Sequence, residues 1–240
     1  RTLRQKNSGK SIGGRYIMSK KLSKQKLNDI ITYGIVIAAF VIMQILINAG
    51  EISSLFQGLM VPLCTYIILA ISLNLVVGIL GELSLGHAGF MCVGAFTSSF
   101  FSKAMQDTIT NSTVRFLLAL LIGIITAAIF GIIIGIPVLR LNGDYLAIVT
   151  LAFGEIIKNL VNVLFIGKDS KGFHFSTKDA VSLNMEPDGK IILNGPQGIT
   201  GTPNDSTFFI GFILILVTLF IVLNLIHSRD GRAIMAIRDN

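Results

Sequence analysis

Long runs of apolar residues, separated by short polar stretches, dominate this chain from residue 30 onward. Each run has roughly the 20 residues that an α-helix needs to cross a hydrocarbon layer about 30 Å thick. The six runs are Ile30–Ile47, Leu59–Leu80, Leu83–Phe101, Phe116–Leu139, Tyr145–Ile166 and Phe208–Ile226. Open strands are excluded in lipid because their backbone groups would stay unpaired. The pattern predicts an all-α fold, a polytopic membrane helix bundle with about six spans.

The third run differs from the others because it is short and rich in glycine. Gly81, Gly86, Gly89 and Gly94 fall within it or just ahead of it. Irregular backbone at membrane depth is tolerated only where protein or a water-filled cavity surrounds it. We therefore expect the third span to be a broken or re-entrant helix.

Composition supports a membrane protein and argues against other classes. The chain is 52% hydrophobic and 14% charged, whereas soluble domains average about 25% charged residues. The net charge of +7 does not indicate a nucleic-acid partner, because the excess of positive charge lies in residues 1–29, ahead of the first apolar run, and does not cluster on a folded face. Cys64 and Cys92 lie inside apolar runs and are expected to be small buried hydrophobes.

Positive charge predicts the orientation of the chain. Residues 1–29 carry nine Lys or Arg residues against one Asp, and segments rich in Lys and Arg remain cytoplasmic. We divide the chain into this basic cytoplasmic segment and a transmembrane domain, 30–240, with an extracellular loop at about 167–207. Met18 is the predicted native start, which would leave residues 1–17 outside the natural chain.

Small residues recur at every fourth position of the fourth run. They are Gly123, Ala127, Gly131 and Gly135, and on a helix they share one face, where they let another helix approach closely. The spacing predicts a packing seam, either within the bundle or between two subunits.

Polar residues inside the predicted spans are the candidate functional residues, because ionisable groups in lipid usually face a cavity or a partner. Glu155 lies in the fifth run on one helical face with Lys158, Asn159 and Asn162. We interpret this face as one wall of a translocation path. The alternatives are an internal Glu155–Lys158 pair or a Lys158 side chain that snorkels outward.

The third run carries a second polar group, in which Ser84 and His87 lie close to Glu82. Glu82 is equally explained as a solvated acid at the membrane boundary, and His87 as a buried structural histidine. For the translocation path we select Ser84, His87, Thr150 and Glu155.

Catalytic signatures are absent from the sequence. Gly9-Lys10-Ser11 lacks the upstream glycine and the strand–loop–helix context of a phosphate-binding loop. No nucleophile elbow, zinc signature or paired-carboxylate arrangement is found. We expect a chain that is not an enzyme, that binds no metal and that does not itself hydrolyse ATP.

Four segments, taken together, resemble one family. They are residues 81–90 (GELSLGHAGF) with 94–96 (GAF), residues 139–156 (LRLNGDYLAIVTLAFGEI), residues 194–201 (NGPQGITG) and residues 231–240 (GRAIMAIRDN). In this order they resemble the permeases of ATP-binding-cassette importers for branched-chain amino acids, of the LivM type. The similarity runs from about residue 60 to the last residue. It implies that the chain stops inside a cytoplasmic coupling loop and is incomplete at its C-terminus.

The resemblance also implies a mechanism and partners. An extracellular binding protein would deliver leucine, isoleucine or valine to this chain paired with a second permease subunit in the bacterial cell membrane. Two ATPase subunits would bind ATP and Mg, so that this chain binds no cofactor. Gly231, Arg232, Arg238 and Asp239 would begin the contact with the ATPases. Plain anchoring by cytoplasmic positive charge is the alternative for the arginines.

Other functions stay open on the sequence alone. Permeases for urea and short amides are closely similar to this family. An ion-coupled secondary transporter would use Glu155 as its proton or sodium site and would need no ATPase. A channel-like or structural membrane subunit has no specific feature in its favour.

Overall fold

A computed structural model describes residues 27–138, 140–141, 143–203 and 205–238. Residues 1–26, which make up most of the predicted N-terminal segment, lie outside the described residues. The helices are α1 (Leu27–Asn48), α2 (Ser54–Asn74), α3 (His87–Ala104), α4 (Ser112–Val138), α5 (Asp144–Val163), α6 (Phe208–His227) and α7 (Arg229–Arg238). The strands are β1 (Phe165–Asp169), β2 (Gly172–Ser176) and β3 (Lys190–Asn194).

Five of these helices are long and apolar enough to cross a membrane, namely α1, α2 with the turn that extends it to Leu80, α4, α5 and α6. The remaining long helix, α3, has 18 residues and is less apolar than these five. It packs along α4 and against α5. The predicted all-α membrane bundle of about six spans is confirmed.

Several helix boundaries differ from the ends of the predicted runs, and at two of them residues predicted to be helical adopt another structure. The third run was expected to form a span from Leu83, but its helix begins at His87 and follows an irregular segment, Gly81–Gly86. The break therefore precedes α3 and does not interrupt it. The fifth run was expected to reach Ile166, but α5 ends at Val163 and the next apolar residues form β1. Apolar character alone does not distinguish the end of a buried helix from a buried strand that follows it.

A π-helical turn, Leu75–Leu80, closes α2. It ends at Gly81, whose backbone adopts a left-handed conformation with φ 80° and whose N–H donates to the carbonyl of Val76. The side chain of Asn74 lies against Gly78 so closely that a Cβ there would stand 2.4 Å from its Oδ1. Short π-helical turns are often found at functional sites, and this one packs against α7.

The helices pack in two groups. In the first, α3 lies against both α4 and α5, and its core includes Val93, Phe153 and Ile157. In the second, α2 packs on α6 around Cys64 and Ile215. Helix α1 joins the second group through aromatic stacking: the Phe40 ring centroid lies 5.2 Å from that of Phe208 and 3.9 Å from that of Phe212.

The two ends of the bundle differ. One end carries an antiparallel sheet of strand order β2–β1–β3, built from residues between α5 and α6. Ile166, Leu183, Ile192 and Leu193 are its buried apolar residues. We call this end the sheet end, and the opposite end, where α7 packs against the π-helical turn, the α7 end. The loop predicted at 167–207 therefore contains a small antiparallel sheet.

Asp169 organises the turn between β1 and β2. Its Oδ1 accepts the N–H groups of Lys171 (2.8 Å) and Gly172 (3.1 Å), and its Oδ2 accepts the N–H of Glu186 (3.3 Å). The same Oδ2 lies 2.9 Å from Nε2 of His174. Burial alone would raise the pKa of Asp169, but the N–H groups and His174 outweigh burial and hold the pKa below its ordinary value.

Acidification is expected to loosen this turn. Because the folded-state pKa of Asp169 is depressed, its contribution to stability is fully present above the unfolded value of about 3.9. The contribution is lost as the pH falls through the folded pKa. Hydrogen-exchange protection across residues 169–174 should therefore decrease in that acidic range. In Asp169→Asn protection should be lower at neutral pH and should lack this acidic step. If wild type and Asp169→Asn showed the same acidic loss of protection, this loss would be due to the titration of another group.

Candidate functional site

The irregular segment ahead of α3 turns back into the bundle and lies against α5. Leu85 donates its N–H to Thr150 Oγ1 at 3.1 Å, and this hydroxyl donates to the Ala147 carbonyl at 3.0 Å. Thr150 is 5% exposed. It lies six residues into α5, about 9 Å along the helix axis from Asp144. The segment therefore reaches well inside the span, and its backbone is held there by a side chain 65 residues away in sequence.

Glycines make this approach possible. A Cβ on Gly86 would stand 2.9 Å from the carbonyl oxygen of Thr150, and one on Gly89 would stand 2.9 Å from the Phe153 ring and 3.0 Å from Cα of Gly154. The neighbouring rings of Phe90 and Phe153 lie 5.0 Å apart. Small residues allow helix backbones in membranes to pack closely, so this contact fixes where α3 begins.

Gly89→Ala is expected to disturb this contact, whereas Gly94→Ala on the same helix should be tolerated. The added methyl at Gly89 meets backbone and an aromatic ring at about 3 Å, while the one at Gly94 meets its nearest atom at 3.6 Å. Overpacking costs about 1–3 kcal/mol. The thermal midpoint in detergent should therefore fall for Gly89→Ala and stay close to wild type for Gly94→Ala. Equal midpoints for the two variants would contradict this.

Two of the predicted path residues flank this contact. Ser84 lies in the irregular segment and is partly buried. His87 is the first residue of α3, and its Nδ1 is buried without a hydrogen-bond partner among the described residues. A buried polar atom without a partner is uncommon in folded proteins. With Thr150, these residues form one polar group, near the α7 end of the first helix group.

Glu155 lies apart from that group. The buried face of α5 is formed by Leu146, Ala147, Thr150, Phe153 and Ile157. The face with Glu155, Lys158, Asn159 and Asn162, which we call the polar strip, is rotated about half a turn away. The Glu155 and Lys158 side chains are 57% and 63% exposed and lie 3.4 Å apart, so the alternative of an internal pair does occur. The Asn159 amide donates to the Glu155 carbonyl at 2.9 Å.

The small residues of α4 lie at graded distances from other helices. A Cβ on Gly123 would stand 3.0 Å from the Gly94 carbonyl oxygen of α3. Ala127 lies beside Gly94, a Cβ on Gly131 would stand 4.0 Å from the Phe90 ring, and a Cβ on Gly135 would meet none of the described residues within 4 Å. The hydroxyls of Thr97 and Thr126 meet at 2.7 Å beside the closest point.

Comparisons with known proteins bear on this arrangement. The sequence profile of the family described as branched-chain amino acid transport system, permease component, matches residues 54–240. The chain belongs to this permease family. The match includes the Gly81–Gly86 segment, the polar strip and α7. The N-terminal helix α1 lies ahead of it.

Two curated relatives agree with the family assignment. Both are named high-affinity branched-chain amino acid transport system permease protein LivM. The protein of Escherichia coli (strain K12) is 34% identical over 184 residues, and that of Salmonella typhimurium (strain LT2) is 33% identical over 184 residues. Each alignment covers 73% of this chain and 42% of the relative, so the chain spans about two-fifths of the length of the relatives it matches. No solved structure matches significantly.

The C-terminal residues of this permease chain form a compact corner. A single residue, Ser228, separates α6 from α7, and its Oγ donates to the Leu225 carbonyl (2.6 Å) and accepts the Gly231 N–H (3.0 Å). Gly231 is buried against the end of α6, whereas Arg232 is exposed and its Nε donates to the Ser228 carbonyl at 3.2 Å. Arg238 is the last residue of α7, and Asp239 lies outside the described residues.

One charged cluster at the sheet end was missed by sequence reasoning. Arg115, in the first turn of α4, donates from Nη2 to Asp205 Oδ2 at 2.8 Å and from Nη1 to the Ile109 carbonyl at 3.0 Å. Ser112 donates its hydroxyl to Asp205 Oδ1 at 2.6 Å. These bonds join the first helix group to the segment that leads into α6. An arginine at the start of an apolar run was the available signal, but its partner is 90 residues away.

Proposed function

We propose that this chain is a transmembrane permease subunit of an ATP-driven importer, and that it moves branched-chain amino acids across the bacterial cell membrane. The family match and the names of the relatives support this class. The observation that carries the proposal is the polar strip. It lies on a membrane-spanning helix and faces away from α3, and most of its residues are exposed.

Exposed charge on such a helix needs a neighbour other than lipid. Scales based on membrane insertion place one charged residue at a helix centre at about +2.5 to +3.5 kcal/mol. The Glu155–Lys158 contact at 3.4 Å lowers this cost, yet more than half of each side chain remains open. A second permease subunit facing the polar strip across a narrow aqueous path would remove the charges from lipid and create a route through the membrane.

The polar strip suits a zwitterionic cargo. Glu155 offers a negative charge to an ammonium group, and Lys158 and Asn159 offer donors to a carboxylate. Exposed aliphatic residues, including Ile148 and Leu151, lie on the same helix toward the α7 end, where a branched side chain would find apolar contact. Ser84 and His87 lie with Thr150 on the opposite, buried side of α5, where Thr150 holds the irregular segment in place, so Glu155 is the one predicted path residue that the polar strip contains.

Partners and orientation follow from the same proposal. The N-terminus and α7 lie on the cytoplasmic side, and the sheet end faces the extracellular binding protein. Two ATPase subunits carry ATP and Mg and contact Gly231, Arg232, Arg238 and Asp239. The exposed Arg229 and Arg232 on a short helix suit a polar, reversible contact, while Gly231 sets the angle of that helix. The small residues of α4 that α3 leaves open, such as Gly135, are available for helix packing between subunits.

Uptake of labelled leucine tests the function. Cells that express the full-length gene with its neighbouring genes are assayed before and after the ion gradients are dissipated while ATP is maintained. We expect uptake to persist and to vanish when the phosphate-binding lysine of the ATPase is replaced. Loss of leucine uptake when the ion gradients are dissipated would indicate an ion-coupled transporter instead of an ATP-driven importer. If urea or short amides competed with leucine uptake and isoleucine and valine did not, the cargo would be urea or a short amide and not a branched-chain amino acid.

Glu155→Gln in the full-length transporter is expected to lower leucine uptake at least tenfold while leaving assembly with the ATPases intact. The glutamine keeps the size of the side chain but removes the charge that would meet the ammonium group. Glu51→Gln is the matched control, because Glu51 is exposed in the connection between α1 and α2 and should transport normally. Wild-type uptake in Glu155→Gln would remove this residue from the path.

A further inference from the structure

A polar cavity of about 260 Å³ lies at the sheet end, between the C-terminal end of α3 and strands β1 and β3. Three lysines and three aspartates line it, namely Lys103, Lys168, Lys190, Asp107, Asp169 and Asp188. It shares no residue with the polar strip or with the group around Thr150, so it is separate from the candidate site described above. Pockets for drug-sized ligands occupy about 300–1,000 Å³, so this cavity suits a smaller molecule.

Two of the three lysines lack a carboxylate partner. Lys168 of β1 lies directly opposite Lys190 of β3, where like charges repel each other. Lys190 is neutralised, because its Nζ lies 3.2 Å from Asp107 Oδ2. Lys103 and Lys168 donate only to backbone carbonyls and form no ion pair with the described residues. A carboxylate placed beside these two ammonium groups would therefore offset an uncompensated positive charge.

The three aspartates of the cavity do not neutralise these two lysines. Asp107 is occupied by Lys190, and Asp169 is occupied by the N–H groups of its turn and by His174. Asp188 is exposed, and its carboxylate makes no hydrogen bond or ion pair within the part of the chain that the structure describes. The cavity therefore holds unpaired charges of both signs. A simple anion would leave the negative charge unpaired, whereas a zwitterion meets both.

We propose that this cavity binds a free α-amino acid by its charged groups, with the carboxylate at Lys103 and Lys168 and the ammonium group at Asp188. The choice of ligand rests on the proposed function, which brings amino acids to the extracellular side of the sheet end. The apolar lining residues Ala104 and Ile192 are only 4% and 2% exposed, so they offer little contact to the ligand side chain. The cavity recognises the two charges and holds the cargo outside the translocation path.

Equilibrium binding of labelled leucine to the purified full-length permease, without ATP, ATPase subunits or binding protein, tests this site. All measurements use the Glu155→Gln protein, so that the polar strip offers no carboxylate to the ligand. Adding Lys168→Gln should weaken leucine binding at least tenfold, because one of the two unpaired cations is lost. Lys171→Gln is the matched control: the Lys171 side chain is 72% exposed, pairs with Glu186 and lies outside the cavity lining, so the leucine affinity should not change.

Two leucine analogues report on the two charges separately. Leucinamide lacks the carboxylate and isocaproate lacks the ammonium group, so each should compete with labelled leucine at least tenfold less well than unlabelled leucine does. Lys168→Gln should leave the affinity for leucinamide unchanged, and Asp188→Asn should leave the affinity for isocaproate unchanged. Glycine should compete within threefold of leucine, because the cavity offers little apolar contact to a side chain.

Isocaproate that competed as well as leucine would indicate a simple anion site and would overturn the proposal. Unchanged leucine binding in both Lys168→Gln and Asp188→Asn would overturn it as well. The analogue comparison needs neither variant, so it decides the question even if Lys168→Gln did not fold. Loss of ATP-driven uptake in the earlier assay, with this binding retained, would reject the importer alone. Failure of the analogue comparison, with uptake intact, would reject this site alone.

Discussion

Gly231→Ala is expected to detach α7 from the end of α6. A Cβ at this position would stand 2.2 Å from the Leu225 carbonyl oxygen, 2.8 Å from that of Ile226 and 2.9 Å from the Ile226 Cα. All three atoms belong to the backbone, so no side-chain rotation relieves the overlap. The corner must open, and the Ser228 hydroxyl then loses the Gly231 N–H that it caps. Overpacking costs about 1–3 kcal/mol and more where the backbone must move.

Trypsin measures this opening directly, because Arg229 and Arg232 lie within the corner. We expect cleavage at these residues in Gly231→Ala at least tenfold faster than in wild type. Gly135→Ala is the matched control, since Gly135 lies near the α7 end of α4 and a Cβ added there would meet no atom of the described residues within 4 Å. The cleavage rate of Ser228→Ala should lie between those of wild type and Gly231→Ala, because losing a helix cap costs about 1 kcal/mol. A Gly231→Ala protein as resistant as Gly135→Ala would refute the steric argument.

Arg115→Ala is expected to be the most destabilising single charge deletion at the sheet end. The Arg115 and Asp205 side chains are only 8% and 12% exposed, and deleting one partner leaves the other charge buried. Breaking a buried pair in this way costs about 3–5 kcal/mol. Lys190→Ala is the control, because its pair with Asp107 lies at the sheet end and is largely exposed, and exposed pairs contribute about 0–1 kcal/mol. Thermal unfolding in detergent compares the two.

Two further measurements separate the contribution of charge to stability at this site from the contribution of packing. Replacing both partners by apolar residues, as in Arg115→Met with Asp205→Leu, should be milder than Arg115→Ala, since no charge is left unpaired. The Ser112 hydroxyl and Arg115 lower the pKa of Asp205, although burial opposes them. The wild-type stabilisation should therefore be lost as the pH falls through this depressed pKa. If the double variant were the less stable of the two, packing and not charge would explain the site.

The helices were predictable because each apolar run is long enough to cross a membrane and lipid leaves the backbone no alternative to a helix. The start of α3 was not predictable from the sequence, because it depends on Gly86 and Gly89 lying against Thr150 and Gly154. The hydrophobic periodicity of one segment carries no information about its contact with another segment. The start of β1 was misassigned for a related reason: Phe165 and Ile166 continue the apolar run of α5, and only their pairing with β2 and β3 makes them a strand.

The candidate site was predictable in part. The polar residues of α5 could be placed on one face by helical spacing alone, and the structure shows that this face is open. Sequence spacing could not show that Thr150, chosen with Glu155, lies on the opposite, buried side of the same helix. It could not show either that the His87 Nδ1 is enclosed. Both facts depend on α3, whose position is set by residues far away in the sequence.

The π-helical turn at Leu75–Leu80 has a consequence for comparing this chain with other members of its family. A π-type bond spans one residue more than an α-type bond, so the same stretch of helix holds an extra residue. A homologue that remains α-helical here reaches the residue equivalent to Gly81 one position sooner. An alignment without a gap would then misplace every later residue, including Ser84 and His87, by one position along the chain. The gap belongs next to Gly78, where the helix already accommodates the extra residue.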